Sequence, residues 1–243
     1  MVKGKYMKNV INYENIRYFC YTNADLIKGE VKGIVLTFHG LGFDGMYDTH
    51  PDEDYADARN GIVEIVPYYN PWCWMNKQAV DYVDELIDVI MEHFGLDDSV
   101  KITASGGSMG GLCALLFTYY SKHKPQRCVA NCPVCDTVYH YTERPDLPRT
   151  LYSAYGNLDM SLEDALKMHS PYHLAENMPD VEYVVFHCTA DDAVNYEKHG
   201  VKFVNRMKEC GKKIEFITVP DRGHCDLGDF KKDYFNEIRV GMN

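Results

Sequence analysis

Apolar residues along this chain switch between two periodicities. Short apolar runs at Gly33 to Phe38 (GIVLTF), Gly61 to Pro67 (GIVEIVP) and Val100 to Ala104 read as buried strands. Runs at Arg127 to Cys132, Glu182 to His187 and Lys213 to Val219 repeat the pattern, and an earlier strand is expected from Ile16 to Tyr21, ahead of a turn near Lys28-Gly29. Helical spacing separates them. From Asn76 to Phe94 the apolar residues Val80, Val83, Ile87, Ile90, Met91 and Phe94 share one face, and Gly95 stands where a helix would stop. Leu112, Leu115, Leu116 and Tyr119 mark another helix, with more expected over Asn195 to Cys210 and Asp229 to Ile238. Strand and helix in alternation predict an α/β fold, a mostly parallel sheet with helices on both faces. At 243 residues, 46% of them hydrophobic, the chain suits one domain spanning 1-243.

The rhythm breaks between residue 136 and about residue 178. This stretch holds the proline-spaced ERPDLPRT and a short helix whose Ser161 and Asp164 have capping-box spacing. Lying between two strands, it is expected to form a small lid over the active-site face. Tyr139, Tyr141, Tyr152, Tyr155 and Tyr172 recur through it, and Tyr68, Tyr69, Trp72 and Trp74 cluster after an earlier strand. Most of these rings should pack the insertion onto the core. Trp72, Trp74 and Tyr139 are the expected contacts to an aromatic or sugar-bearing substrate.

Charge and cysteine usage narrow the function. Lys plus Arg 25 against Asp plus Glu 36 leaves −11, which repels phosphate backbones and argues against a nucleic-acid partner. No segment has the long apolar run of a membrane span, and the start, MVKGKYMKNVINYENIRY, lacks the apolar stretch of a signal peptide. The nine cysteines are odd in number and sit mostly in apolar stretches. They read as reduced thiols, so a cytoplasmic setting is expected. Cys132-Pro133-Val134-Cys135 is a CxxC, but no second ligand pair of similar spacing accompanies it, so core cysteines and no metal site are expected. The acidic run from Asp48 to Asp54 reads as a solvated loop rather than a cation site.

Gly106-Gly107-Ser108-Met109-Gly110 fits G-x-S-x-G. The bare pattern arises by chance in roughly one chain in ten of this length, so its position between a strand and a helix is what makes it informative. A serine hydroxyl needs a hydrogen-bonded base, and the base needs a group to orient it. His224, in PDRGH, follows the last expected strand, and Asp191, in HCTADDAV, follows the preceding one. Asp192 is adjacent and Asp136 follows an earlier strand, so both stand as alternatives for the acid. Ser, Asp and His occur in chain order at strand C-terminal ends, where ligands of open parallel sheets bind. His39-Gly40-Leu41-Gly42 follows the strand Gly33 to Phe38 and supplies one expected oxyanion donor, the backbone N–H of Leu41, with Gly42 as fallback. The backbone N–H of Met109, at the start of a helix, is the second.

Through HGLG, GGSMGG, HCTADDAV and GH, in that order, the chain resembles the α/β-hydrolases, particularly small esterases and the catalytic domains of prolyl-oligopeptidase-like enzymes. The likeness covers roughly residues 33 to 225. Cys188 departs from it, since similar chains often carry glycine after the histidine. The resemblance implies an α/β-hydrolase fold and a serine hydrolase with Ser108, Asp191 and His224 as catalytic residues and no cofactor. A small-molecule carboxylic ester is the expected substrate. A small peptidase is the alternative, although such enzymes usually carry a separate gating domain for which this chain has no room. A non-catalytic small-molecule binder is the third reading, but such relatives usually lose one of the three polar residues.

Overall fold

The computed structural model describes residues 10–242. Residues 1–9, part of the segment expected to lack an apolar leader, lie outside the described residues. The elements follow in chain order as β1 (Cys20–Thr22), β2 (Gly33–Phe38), α1 (Asp52–Arg59), β3 (Ile62–Pro67), α2 (Lys77–Phe94), β4 (Lys101–Gly107), α3 (Met109–Tyr120) and β5 (Arg127–Asn131). Four helices come next, α4 (Thr137–Glu143), α5 (Leu147–Tyr155), α6 (Leu162–Met168) and α7 (Pro171–Leu174), in the segment where the sequence rhythm breaks. The chain finishes with β6 (Glu182–Cys188), α8 (Lys202–Glu209), β7 (Ile214–Val219) and α9 (Lys231–Ile238).

The strands form one seven-stranded sheet in the order β1-β3-β2-β4-β5-β6-β7. Only the β1–β3 pair is antiparallel. The parallel strands have apolar side chains on both faces, so each needs cover on both sides. Ile34, Leu36 and Phe38 of β2 face α2 and α3, whereas Val35 joins Val129, Phe186 and Val219 beneath Tyr234 and Ile238 of α9. Helix α2 shows why its boundaries were readable. Asn76 caps it by accepting the Ala79 N–H at 3.1 Å, and Gly95 ends it at φ 65°.

Departures from expectation occur where polarity masks structure. Ile16–Tyr18 forms a 3₁₀ turn, and only the three residues of β1 pair with the sheet. The acidic run is no solvated loop throughout: Asp52, Glu53 and Asp54 open helix α1, where their charge complements the helix N-terminus. Within that helix Asp57 is buried against Arg239, whose Nε lies 2.6 Å from its Oδ1. Residues Glu197–Val201 form a π turn that runs into α8. Among the described residues no helix is long and apolar enough to cross a membrane, and the cysteines are all free.

Glu64 on β3 is a buried acid inside this sheet, 8% exposed, and it accepts the Thr37 hydroxyl. Burial pushes its carboxyl up to about 8, outweighing that hydrogen bond. In the unfolded chain the group ionises near 4.5, so the folded state loses ground as pH rises from there towards 8. Glu64→Gln removes the ionisation while keeping an acceptor for Thr37. The melting temperature of the variant, relative to the parent, should therefore rise between pH 5 and pH 8, by about 2–4 °C for each kcal/mol relieved. Thermal unfolding at the two pH values checks this; a difference that stays constant would mean that Glu64 is ionised in the folded protein.

Candidate active site

Ser108 stands between β4 and α3 with φ 59° and ψ −125°, a left-handed conformation that strains any side-chain-bearing residue. Its surroundings hold it there. The Ser108 N–H donates to Asn131 O at 2.9 Å, and Ser108 O accepts the N–H groups of Gly111 and Leu112 at 3.0 and 3.2 Å as α3 begins. Glycine is needed around it. A Cβ on Gly106 would lie 2.5 Å from Gly110 O, and one on Gly110 would lie 2.1 Å from Phe38 O. The small residues of the G-x-S-x-G pattern thus let α3 cross the end of β2 at backbone contact.

His224 lies on the loop after β7. Its Nδ1 is 2.8 Å from Asp191 Oδ2, and the Asp191 side chain is fully buried. Asp191 Oδ1 accepts the N–H groups of Ala193 and Val194 at 2.9 and 2.8 Å. His187 closes the same loop, its Nε2 donating to Val194 O at 3.0 Å while standing 3.6 Å from Asp191 Oδ2. The HxxxDxxV spacing is therefore a locked turn. Burial alone would raise the Asp191 carboxyl, but its contacts with His187 and His224 and the Val194 N–H hold it far below the ordinary carboxylate range. Burial would likewise lower His224, yet the hydrogen bond and charge of Asp191 outweigh it and raise the imidazole above its ordinary value. Of the alternative acids, Asp192 is exposed. Asp136 caps α4 by accepting the Tyr139 N–H at 3.1 Å and pairs with Lys202 at 2.7 Å.

The two loops meet at the strand ends. Cys225, next to His224, places its Sγ 3.2 Å from where a Cβ on Gly107 would sit and 3.7 Å from His224 Nε2. No hydrogen bond joins Ser108 Oγ to His224 among the described residues. Such contacts often tighten only when substrate binds.

The HGLG segment lies across from the serine: a Cβ added to Gly40 would stand 4.0 Å from Ser108 Cβ. Gly42 gives its N–H to Pro71 O at 3.0 Å, which removes it as the fallback donor. The N–H groups of Leu41 and Met109 have no hydrogen-bond partner among the described residues, and that of Met109 belongs to the first turn of α3.

The expected pocket aromatics divide. Trp72 is 44% exposed beneath the Arg149 guanidinium and lines a groove with Tyr69, whose ring lies on His39 at 4.0 Å. Trp74 is no pocket residue. It is 1% exposed, donates from Nε1 to Thr150 Oγ1 at 3.2 Å, and accepts the Tyr155 hydroxyl at its carbonyl, so it pins the insertion to the body. Tyr139 is half-buried with its ring 5.5 Å from that of His199. A cavity of about 920 Å³ lined by Tyr21, Glu64, Phe235 and Arg239 contains none of these aromatics and none of the Ser108, Asp191 and His224 group.

A buried brace beside the site leaves little trace in the sequence. Glu143 of α4 meets His140 Nδ1 at 2.6 Å and His199 Nε2 at 2.9 Å, and accepts the Asn195 N–H at 2.9 Å. His199 Nδ1 accepts the N–H groups of Cys135 and Asp136 at 3.1 and 3.2 Å, which puts its proton on Nε2. That imidazole donates to Glu143, so its Nε2 has no lone pair for a metal. One of these links, His140 with Glu143, has helical spacing; the rest join distant segments.

Known proteins share this fold. No curated protein matches the chain. Among solved structures it is similar to a Mycobacterium tuberculosis puromycin-hydrolyzing peptidase (TM-score 0.69, 16% identity, 88% of this chain and 34% of that one). It is also similar to an S-formylglutathione hydrolase from Agrobacterium tumefaciens (TM-score 0.65, 18% identity, 88% of this chain and 86% of that one). Thermogutta terrifontis esterase 2 is a third (TM-score 0.60, 19% identity, 88% and 84%). The chain spans about a third of the length of the peptidases that it matches. At these identities the likeness is one of fold. The sequence itself matches the prolyl oligopeptidase family over residues 74–238, more than half of its length, and the chain thus belongs to that family, among the serine hydrolases of the α/β-hydrolase fold.

Proposed function

We propose that the chain hydrolyses carboxylic esters through Ser108, His224 and Asp191. One observation carries the reading: the Asp191 carboxylate fixes Nδ1 of His224 as a donor at 2.8 Å, which leaves the Nε2 lone pair free to accept a proton beside a strained serine turn. Ser108 Oγ attacks the acyl carbon and its proton passes to Nε2. The carbonyl oxygen gains charge against the N–H groups of Leu41 and Met109. As the tetrahedral intermediate collapses, the C–O bond breaks and His224 returns the proton to the leaving alcohol. Water, deprotonated by the same imidazole, then releases the acid and restores Ser108.

An ester is favoured over an amide because its alcohol leaves more readily than an amine. The esterase and the S-formylglutathione hydrolase also match over most of their own lengths. Family membership favours the second reading, a peptidase. The insertion with Tyr139, together with Trp72, walls the substrate pocket in this proposal.

Ester and aminoacyl-amide panels separate the two readings. Ester turnover should exceed amide turnover for matched acyl groups, and Ser108→Ala should abolish fluorophosphonate labelling and lower turnover by about 10⁴-fold or more without unfolding the protein. Faster amide cleavage would make the chain a peptidase; labelling that persists in Ser108→Ala would remove Ser108 as nucleophile. In the same panel Trp72→Ala should depress bulky aromatic esters more than acetyl esters.

The state of His224 sets the pH profile. A protonated imidazole cannot accept the serine proton, so kcat/KM should rise with pH through a pKa above the ordinary histidine value of 6.5, because Asp191 raises it. Asp191→Asn should bring that inflection down and lower kcat by about 10⁴-fold. Asp136→Asn should leave both within a few-fold, since Asp136 is engaged by α4 and Lys202. Steady-state rates from pH 5 to 9 check all three proteins, and a larger loss in Asp136→Asn would move the acid to the end of β5.

A further inference from the structure

Two thiols converge on the imidazole of His224. One ligand atom each from Cys132, His224 and Cys225 lies within 4.8 Å of the other two, and the Cys225 Sγ to His224 Nε2 distance is 3.7 Å. A tetrahedral zinc ion bonds sulfur at about 2.3 Å and imidazole nitrogen at about 2.0–2.1 Å, which puts its donor atoms roughly 3.6 Å apart. The cysteine–histidine pair already has that separation.

The surroundings are those of a metal site. His224 donates from Nδ1 to a carboxylate and presents Nε2, the orientation that metal-binding histidines take. Cys132 Sγ accepts the Cys188 N–H at 3.4 Å, a contact that also suits a thiolate. The backbone fixes both sulfurs: Cys132 and Cys225 have left-handed φ of 45° and 59°, and the Asn131 amide donates to Cys225 O at 3.3 Å. Cys132 is fully buried whereas Cys225 is partly exposed, which gives an ion a way in.

We propose that Cys132, Cys225 and Nε2 of His224 form a site for a thiophilic divalent cation, Zn²⁺ or Cd²⁺, and that its occupancy blocks hydrolysis. Binding releases two thiol protons to solvent, forms two metal–sulfur bonds and one metal–nitrogen bond, and leaves a fourth position for water. The lone pair that must accept the serine proton is then held by the ion. Soft sulfur donors exclude Mg²⁺ and Ca²⁺. The inhibition rests on the function proposed above; the binding does not.

Cadmium tests both parts on the full chain kept reduced with a phosphine. Titration should raise the ultraviolet thiolate-to-cadmium absorption to a plateau at one equivalent, and hydrolysis of a minimal acetyl ester should fall in step and return on adding a chelator. Cys225→Ser and Cys132→Ser should each lose most of the absorption and require at least tenfold more cadmium for half-inhibition. Cys210→Ser, which alters the other partly exposed cysteine, should behave as the parent. If Cys132→Ser fails to melt cooperatively, Cys225→Ser alone decides. Absorption that persists in Cys225→Ser, or that vanishes in Cys210→Ser, overturns the site, as does inhibition unaltered by Cys225→Ser. Normal absorption in a protein that cleaves no ester would refute the proposed function and leave the site standing.

Discussion

The close crossing of α3 over the end of β2 is the constraint on which the rest of the site depends. Gly110 leaves no room for even one carbon before Phe38 O. Because the helix begins this near the sheet, the chain has to turn within one residue of leaving β4, and Ser108 absorbs the turn in a left-handed conformation. The same crossing sets the N–H of Met109 at the mouth of α3 and brings the HGLG segment opposite the serine. Backbone strain at one residue is tolerated because the hydrogen bond from Ser108 N–H to Asn131 O and the start of α3 over-determine it.

The electrostatics on the other side of the cleft have a different origin. Asp191 has no exposed side-chain surface, and burial opposes its charge. Two backbone N–H groups and the His224 ring compensate on its two oxygens, so the carboxylate keeps its charge where it can hold an imidazolium. His187 closes the turn that supplies those N–H groups. The acid is therefore charged because of the loop geometry, and a carboxylate moved to Asp192, in solvent, would have none of these partners.

Legibility in the sequence followed the range of the interactions. Strands β2 and β3 and helix α2 were clear, since apolar periodicity and the Asn76 and Gly95 caps are local signals. The order of Ser108, Asp191 and His224 was likewise readable from short motifs that follow strands. Helix α1 was hidden, because two of its acids, Asp54 and Asp57, are buried, the second by a partner as distant in sequence as Arg239. Trp74 could not be told from Trp72 on composition: one is turned inward by a bond to Thr150, 76 positions away, and the other outward. The convergence of Cys132 on Cys225, and of Glu143 on His199, is tertiary and leaves no spacing to read.

Glu143 gives the molecule an economy with a cost. Glu143 belongs to the first helix of the insertion, and its carboxylate accepts the Asn195 N–H of the segment that follows the Asp191 turn and the Nε2–H of His199. The insertion and the segment next to Asp191 are thus joined through one side chain. On the function proposed above, a change that reshapes α4 for a new substrate also disturbs the segment next to Asp191, so divergence in this chain should proceed by paired substitutions rather than by free exchange of the insertion.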